Sequence, residues 1–234
     1  MQAATPRAAA CGTSTDCRSR DTACQRTPLL AGKDAAKVGC MNENHALCAT
    51  ADWADHIHRE VLGSLLSEID LGDEMLEIGP GPGAATEWLR KRVRRLVAVE
   101  VDPESAQRLA TRYTASNVEV VTGDASRLGF DDASFDSVGT FTMLHHLPTV
   151  ALQNQVLKEA WRVLRPAGIL VGSDSLGCTE LHDFHAGDVY NPIEPSSLIA
   201  RLQTIGFDHV MVSVGYDVRF VARKPDGELA GCPS

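Results

Sequence analysis

The residues Met75-Leu-Glu-Ile-Gly-Pro-Gly-Pro-Gly-Ala-Ala-Thr86 carry an apolar run into glycines at 79, 81 and 83 and then into helix-forming residues. Glycines lack a Cβ, so the backbone can turn sharply there and approach a ligand. Free amides at the start of a helix favour a negative or polar group. Alone, the loop does not choose its ligand, because Gly79, Gly81 and Ala84 also satisfy the G-x-G-x-x-A form of the dinucleotide fingerprint.

The acids around the loop narrow the choice. Glu100 closes the second apolar run, 21 residues after Gly79, where a carboxylate can accept hydrogen bonds from both hydroxyls of a ribose. NAD and S-adenosylmethionine would both use it. Glu77 lies inside the first run and Asp124 sits in Thr122-Gly-Asp-Ala125. Asp124 can accept from an adenine amino group, and Glu77 can sit near a cationic amino-acid end, so the pair favours S-adenosylmethionine.

Two histidine groups follow. His145 and His146 lie in Thr140-Phe-Thr-Met-Leu-His-His-Leu147, after the fourth apolar run. An imidazole with an unperturbed pKa of roughly 6.5 suits a base near neutrality, so these two are the candidate catalytic residues. The bland alternative is a backbone cap. Leu181-His-Asp-Phe-His-Ala-Gly-Asp188, with Tyr190, offers His182, Asp183, His185 and Asp188 as ligands for a divalent ion. A substrate-covering loop with solvated side chains is the simpler reading, so no metal site is assigned. His182, His185 and Tyr190 are expected on the substrate side with Met143 and Trp53.

These residues need elements to hold them. Trp53, Ile57, Val61 and Leu65, with Leu62, Leu66 and Ile69, recur at helical spacing and predict an amphipathic helix before the first strand. Most of that stripe should pack on the core. Its Trp53, Ile57 and Val61 could also cover an apolar substrate, with His56 and His58 bordering the entrance. Predicted strands at 75–78, 96–100, 118–122, 135–142 and 168–173 alternate with helices at 83–93, 103–113 and 149–164. That order marks βαβ units and a parallel sheet covered on both faces. An irregular stretch is predicted over 176–195, then a helix over 196–205 stopped by Gly206. Strand-like runs at 210–214 and 218–223 follow, separated by three residues, which permit a hairpin but no crossover helix.

Residues 75–174 resemble a class I S-adenosylmethionine-dependent methyltransferase of the small-molecule, type 11-like group. The likeness rests on E-x-G-x-G-x-G, the acid ending the second strand, G-D-A, F-D-S-V and R-V-L-R-P-A-G before the fifth strand. It implies a Rossmann-like, doubly wound α/β sheet of seven strands in the order 3-2-1-4-5-7-6 with strand 7 antiparallel. It also implies that Glu77, Gly79, Pro80, Gly81, Gly83, Glu100, Val101, Asp124 and Ala125 line a pocket for S-adenosylmethionine. The stretch from Leu76 to Asp124 is also similar to ribosomal RNA adenine dimethyltransferases. Enzymes that methylate a base amino group place an N-[LI]-P-[YF] or [DNS]-P-P-[YF] motif after the fourth strand to hold the extruded base. This chain has Thr140-Phe-Thr-Met-Leu-His-His-Leu147 there. A methyltransferase acting on an O or N, or a C, of a small molecule is thus the expectation. The rival readings are a nucleic-acid adenine N-methyltransferase, an NAD-dependent oxidoreductase, which leaves Glu77 and the G-D-A run unexplained, and a non-catalytic S-adenosylmethionine-binding protein.

Charge agrees with a small acceptor. Of 22 basic and 31 acidic residues, six and three fall in residues 1–40, leaving 16 and 28 in residues 41–234, a balance of −12. That argues against docking on a polyphosphate, and no nucleic-acid partner is expected. Residues 1–40 also hold Cys11, Cys17, Cys24 and Cys40 of the seven cysteines and show no periodicity. They are expected to be a disordered extension, with the functional protein starting at Met41. One domain over 41–234 is expected: a cap helix in 41–72, a cofactor-binding core in 73–174, a substrate-side insert in 175–195, and a last helix and hairpin in 196–224. The first residues lack an apolar signal region and no apolar run is long enough to span a bilayer, so a reducing cytoplasm is the default. Oligomeric state is not readable from these features.

Overall fold

The computed structural model describes residues 42–227; the expected extension over 1–40 and the start at Met41 lie outside them. Seven strands form one sheet: β1 (Glu74–Ile78), β2 (Arg95–Glu100), β3 (Val118–Thr122), β4 (Phe135–Phe141), β5 (Leu164–Ser175), β6 (Asp208–Val214) and β7 (Asp217–Arg223). Their order is β3-β2-β1-β4-β5-β7-β6, as the resemblance implies. β1 to β5 run parallel, and β7 is antiparallel to both β5 and β6. The hairpin follows from its two-residue connection, Gly215 and Tyr216.

Alternation along the strands sorts the two faces. Leu76, Ile78, Val97, Val138, Leu170 and Phe220 pack against helices α5 (Val150–Val163) and α7 (Pro195–Ile205). Met75, Leu96, Ile169 and Val171 pack on the other face, against α3 (Ala84–Leu89) and the helical run that precedes β1. Helix α4 (Pro103–Arg112) adds a smaller cluster of Leu109, Tyr113 and Ala98. Local chemistry sets the helix ends. Asp102 Oδ2 accepts from Ser105 N at 2.8 Å ahead of Pro103, Thr149 Oγ1 accepts from Leu152 N at 3.1 Å, and Gly206 at φ 117° ends α7.

The run before β1 departs from the straight helix that its periodicity predicts. It is α-helical over Ala51–His56 (α1) and Gly63–Leu66 (α2), with a π-helical stretch at Ile57–Leu62 between them. A Cβ on Gly63 would stand 2.9 Å from the His58 carbonyl oxygen. Glycine therefore fits where the widened turn closes. Ile57, Val61, Leu62 and Leu66 are buried, while Trp53 and Leu65 are only partly so. His58 Nε2 donates to the Ala84 carbonyl at 2.7 Å and ties the run to α3. A second departure lies in the stretch read as irregular, which contains the short helix α6 (Thr179–Phe184). Among the described residues no helix is long and apolar enough to cross a membrane.

Leu62 is 0% exposed and Val150 is 48% exposed. Leu62→Ala should cost about 2–5 kcal/mol of unfolding free energy through lost burial and cavity formation. Val150→Ala should stay within about 0.5 kcal/mol. Equilibrium urea unfolding of the two variants checks the difference.

Candidate active site

A cavity with about 1310 Å³ of unfilled space, counting its open mouth, lies at the C-terminal ends of β1, β2 and β4. Open α/β sheets bind ligands at this edge, where the strand order reverses, here between β1 and β4. Of the residues expected to line it, Glu77, Gly79, Pro80, Gly81, Glu100, Val101, Asp124, Ala125, Trp53, Met143 and His146 do so. Gly83, His145, His182, His185 and Tyr190 are not part of the wall.

The glycine loop is held by backbone geometry. Gly79 sits at φ 68°, and a Cβ there would stand 2.2 Å from Met143 Cγ, so only glycine admits the close approach of the β1 and β4 ends. Gly83 at φ 87° precedes α3, where a Cβ would stand 2.6 Å from Leu109 Cδ1. Its role is to let α3 and α4 meet, which explains its place behind the cavity wall.

The three acids differ in environment. Glu100 accepts from Gly81 N at 3.1 Å through Oε2 and from Asp102 N at 3.1 Å through Oε1. Its carboxylate is thereby fixed at the rim, 5% exposed. Asp124 is exposed. Glu77 is buried and accepts from Thr86 Oγ1 at 2.6 Å. Burial pushes its carboxyl up to about 7; the Thr86 hydrogen bond opposes that, and the nearby Glu100 charge adds to it. An adjacent cation would be the natural means of ionising it.

The two adjacent histidines separate. His145 is buried and its Nδ1 stands 2.6 Å from Asp174 Oδ1, while Asp174 Oδ2 accepts from Leu144 N at 2.7 Å. That carboxylate clamps the 3-10 turn Leu144–His146 to β5. His146 instead faces the cavity. Burial, with the neighbouring His145, His45 and His185, lowers its pKa to about 2. Of the two candidate bases, His146 therefore faces the cavity and His145, held through Nδ1 by Asp174, stands behind its wall.

The wall expected to face the substrate is assembled from two segments far apart in sequence. A 3-10 helix, Glu43–Ala49, precedes α1. The amides of Asn42 and Asn44 donate to the Phe184 carbonyl at 2.8 and 2.6 Å, pinning it to α6. The insert is pinned in turn: Asn191 N donates to the His145 carbonyl at 2.7 Å, and Tyr190 Oη donates to the Leu176 carbonyl at 3.1 Å. Tyr190 stacks on His185, with centroids 4.3 Å apart, and meets His182 edge-on at 4.8 Å. His182 and Asp183 are exposed and stand apart from His185, so the four-residue ligand set of the insert does not form. Sequence reasoning missed His45, Cys48, Phe141, Leu147 and Leu152 in the wall. His45 and Cys48 precede the periodic segment and carry no pattern of their own.

Comparison with known proteins agrees with this arrangement. A family model described as a methyltransferase domain matches residues 76–172. A probable S-adenosylmethionine-dependent methyltransferase of Mycolicibacterium smegmatis is 28% identical over 156 residues, covering 64% of this chain and 57% of its own. A probable ribosomal RNA small subunit methyltransferase A of Methanosarcina acetivorans is 40% identical over 112 residues, covering 44% of this chain and 42% of its own. The chain thus spans about half the length of the curated relatives it matches. Among solved structures, the N-methyltransferase NodS of Bradyrhizobium japonicum, in complex with S-adenosyl-L-homocysteine, superposes with a TM-score of 0.61 at 20% identity. That match covers 79% of this chain and 94% of NodS. Residues 76–172 therefore form a methyltransferase domain, and the chain has the fold of the class I S-adenosylmethionine-dependent methyltransferases.

Proposed function

We propose that the chain is an S-adenosylmethionine-dependent methyltransferase that acts on an oxygen or nitrogen, or a carbon, of a small molecule. The observation that carries this reading is the placement of Glu77, Glu100 and Asp124 around one cavity beside the glycine loop. Their chemistry fits the cofactor from end to end: Glu100 accepts from the ribose hydroxyls, Asp124 from the adenine amino group, and Glu77 faces the cationic amino-acid end. An NAD pyrophosphate suits the loop less well, because the Gly81 amide is already engaged by the Glu100 carboxylate.

When bound, the cofactor supplies a sulfonium-activated methyl electrophile. The chain's own task is then alignment and exclusion of water. Trp53, Ile57, Phe141, Met143, Leu147 and Leu152 give the remaining wall an apolar surface, and His146 is a polar group within it. His145 is a positioning residue that holds the turn through Asp174. The −12 balance of residues 41–234 favours a neutral or cationic acceptor over nucleic acid. The ribosomal RNA enzymes among the relatives make nucleic acid the alternative, and labelling of a cell extract with isotopic S-adenosylmethionine, with and without the protein, separates the two by the class of the labelled product.

Three outcomes check this reading. S-adenosylhomocysteine should raise the melting temperature and NAD should not; the reverse would restore the oxidoreductase. Glu100→Ala should weaken S-adenosylhomocysteine binding by about 2–3 kcal/mol, roughly 30- to 150-fold in Kd by calorimetry.

The third outcome concerns pH. A carboxyl raised from 4.5 to about 7 contributes stability that is fully present below the unfolded value and is lost as pH rises through about 7. Glu77→Gln should therefore stabilise the ligand-free protein relative to wild type at pH 8, with the gap closing toward pH 4.5. In wild type, S-adenosylhomocysteine affinity should rise across the same window as its ammonium group favours the ionised Glu77, and the variant should flatten that rise. Thermal melts and calorimetry over a pH series read both effects.

A further inference from the structure

Three imidazoles from separate parts of the chain converge beside the cavity. His45 comes from the helix Glu43–Ala49, His146 from the turn after β4, and His185 from the end of α6. One coordinating atom from each lies within 4.8 Å of the other two. His45 Nδ1 stands 3.2 Å from Asn42 Oδ1 and 3.5 Å from Asp188 Oδ2, while its Nε2 is buried without a hydrogen-bond partner. The side chain is 7% exposed. His185 Nδ1 donates to the Leu181 carbonyl at 2.7 Å. An imidazole whose Nδ1 proton is held by an oxygen presents a lone pair at Nε2, and such oxygens orient the ring as a ligand.

We propose that His45, His146 and His185 bind one divalent transition-metal ion of the zinc class, whose fourth position faces the cavity and takes water or a deprotonated oxygen of the acceptor.

The donor set fits such an ion. Imidazole nitrogen suits zinc and its neighbours, and three protein ligands with an open fourth position are the pattern of a reactive rather than a structural site. Nitrogens about 2.0–2.1 Å from a tetrahedral ion stand about 3.3 Å apart, inside the 4.8 Å that spans the three donor atoms here. His45 and His146 also line the cavity, which directs the remaining position inward. Asp188, behind His45, completes a carboxylate–histidine pair. His145 is not a ligand through Nδ1, which is held by Asp174. Ion binding stands independently of the methyltransferase reading; the role toward an acceptor rests on it.

The test uses the tag-free full chain, stripped by chelator and titrated with zinc chloride by calorimetry and with cobalt chloride by visible absorption. One tight site per chain is expected, with a nitrogen and oxygen rather than a thiolate spectrum. That distinction matters because Cys11, Cys17, Cys24 and Cys40 offer thiolates of their own. His45→Ala and His185→Ala should each abolish the site. Asp188→Asn should weaken it about 10- to 100-fold, and His182→Ala, exposed and apart from the cluster, should leave it intact. Stoichiometric binding that survives His45→Ala, a thiolate spectrum, or no binding at all overturns the proposal and leaves a hydrogen-bonded histidine cluster. Thermal melting of the same samples reports whether each variant is folded, and S-adenosylhomocysteine binding is read on wild type. Its loss from wild type would fail the methyltransferase reading without touching the metal site.

Discussion

The division of the sheet between β1 and β4 is the constraint on which the rest of the molecule depends. Right-handed crossovers carry the chain from β1 outward through β2 to β3, and then from β4 outward the other way through β5. The two strands that begin these opposite paths lie side by side, and the connections leaving their C-terminal ends must separate. The gap between them is the cavity. Gly79, the first residue past β1, and Met143, the second past β4, approach so closely that no side chain fits on the former. Every residue assigned a role in cofactor binding sits at the end of β1, β2 or β3, within reach of this gap.

Glu77 shows what the division costs. Its position in β1 points it to the same face as Met75, toward α3, where a carboxylate is fully desolvated apart from one threonine hydroxyl. An apolar residue there would stabilise the ligand-free sheet, as the upward pKa shift indicates. The acid makes physical sense only with a cation nearby. Glu100 differs because two backbone amides already satisfy it, so it is fixed in place before any ligand arrives. One acid is preorganised and the other is held in reserve by burial.

The sheet was legible because its signals are local: short apolar runs, glycines at fixed offsets, caps such as Asp102 and Thr149, and a connection too short for a crossover. The loop side of the cavity was legible for the same reason, since Gly79, Glu100 and Asp124 each sit at a strand end. The other side of the cavity was not. Nothing in sequence places His45 beside His185, because the contact depends on asparagine amides reaching the Phe184 carbonyl across some 140 residues. The pair His145–His146 read as one feature, yet neighbours in a 3-10 turn project in different directions, and Asp174 claims only the first. The π-helical stretch escaped as well, since periodicity counts apolar positions and is blind to one extra residue in a turn.

The same contrast bears on what the cavity selects. Its cofactor wall is polar and set by strand ends, whereas its other wall is largely aromatic and aliphatic, with His45 and His146 at its edge. Burial of an apolar acceptor body contributes affinity but little orientation, since the hydrophobic effect has no direction. Orientation must come from the few polar groups present. A neutral imidazole, or an ion held by three of them, recognises one heteroatom on an otherwise apolar molecule. Because one of those imidazoles lies on the N-terminal segment and another on the insert, the polar contact depends on the hydrogen bonds that hold those two segments together. Selectivity in this fold would then reside in the segments outside the sheet, while the sheet itself stays fixed to serve the cofactor.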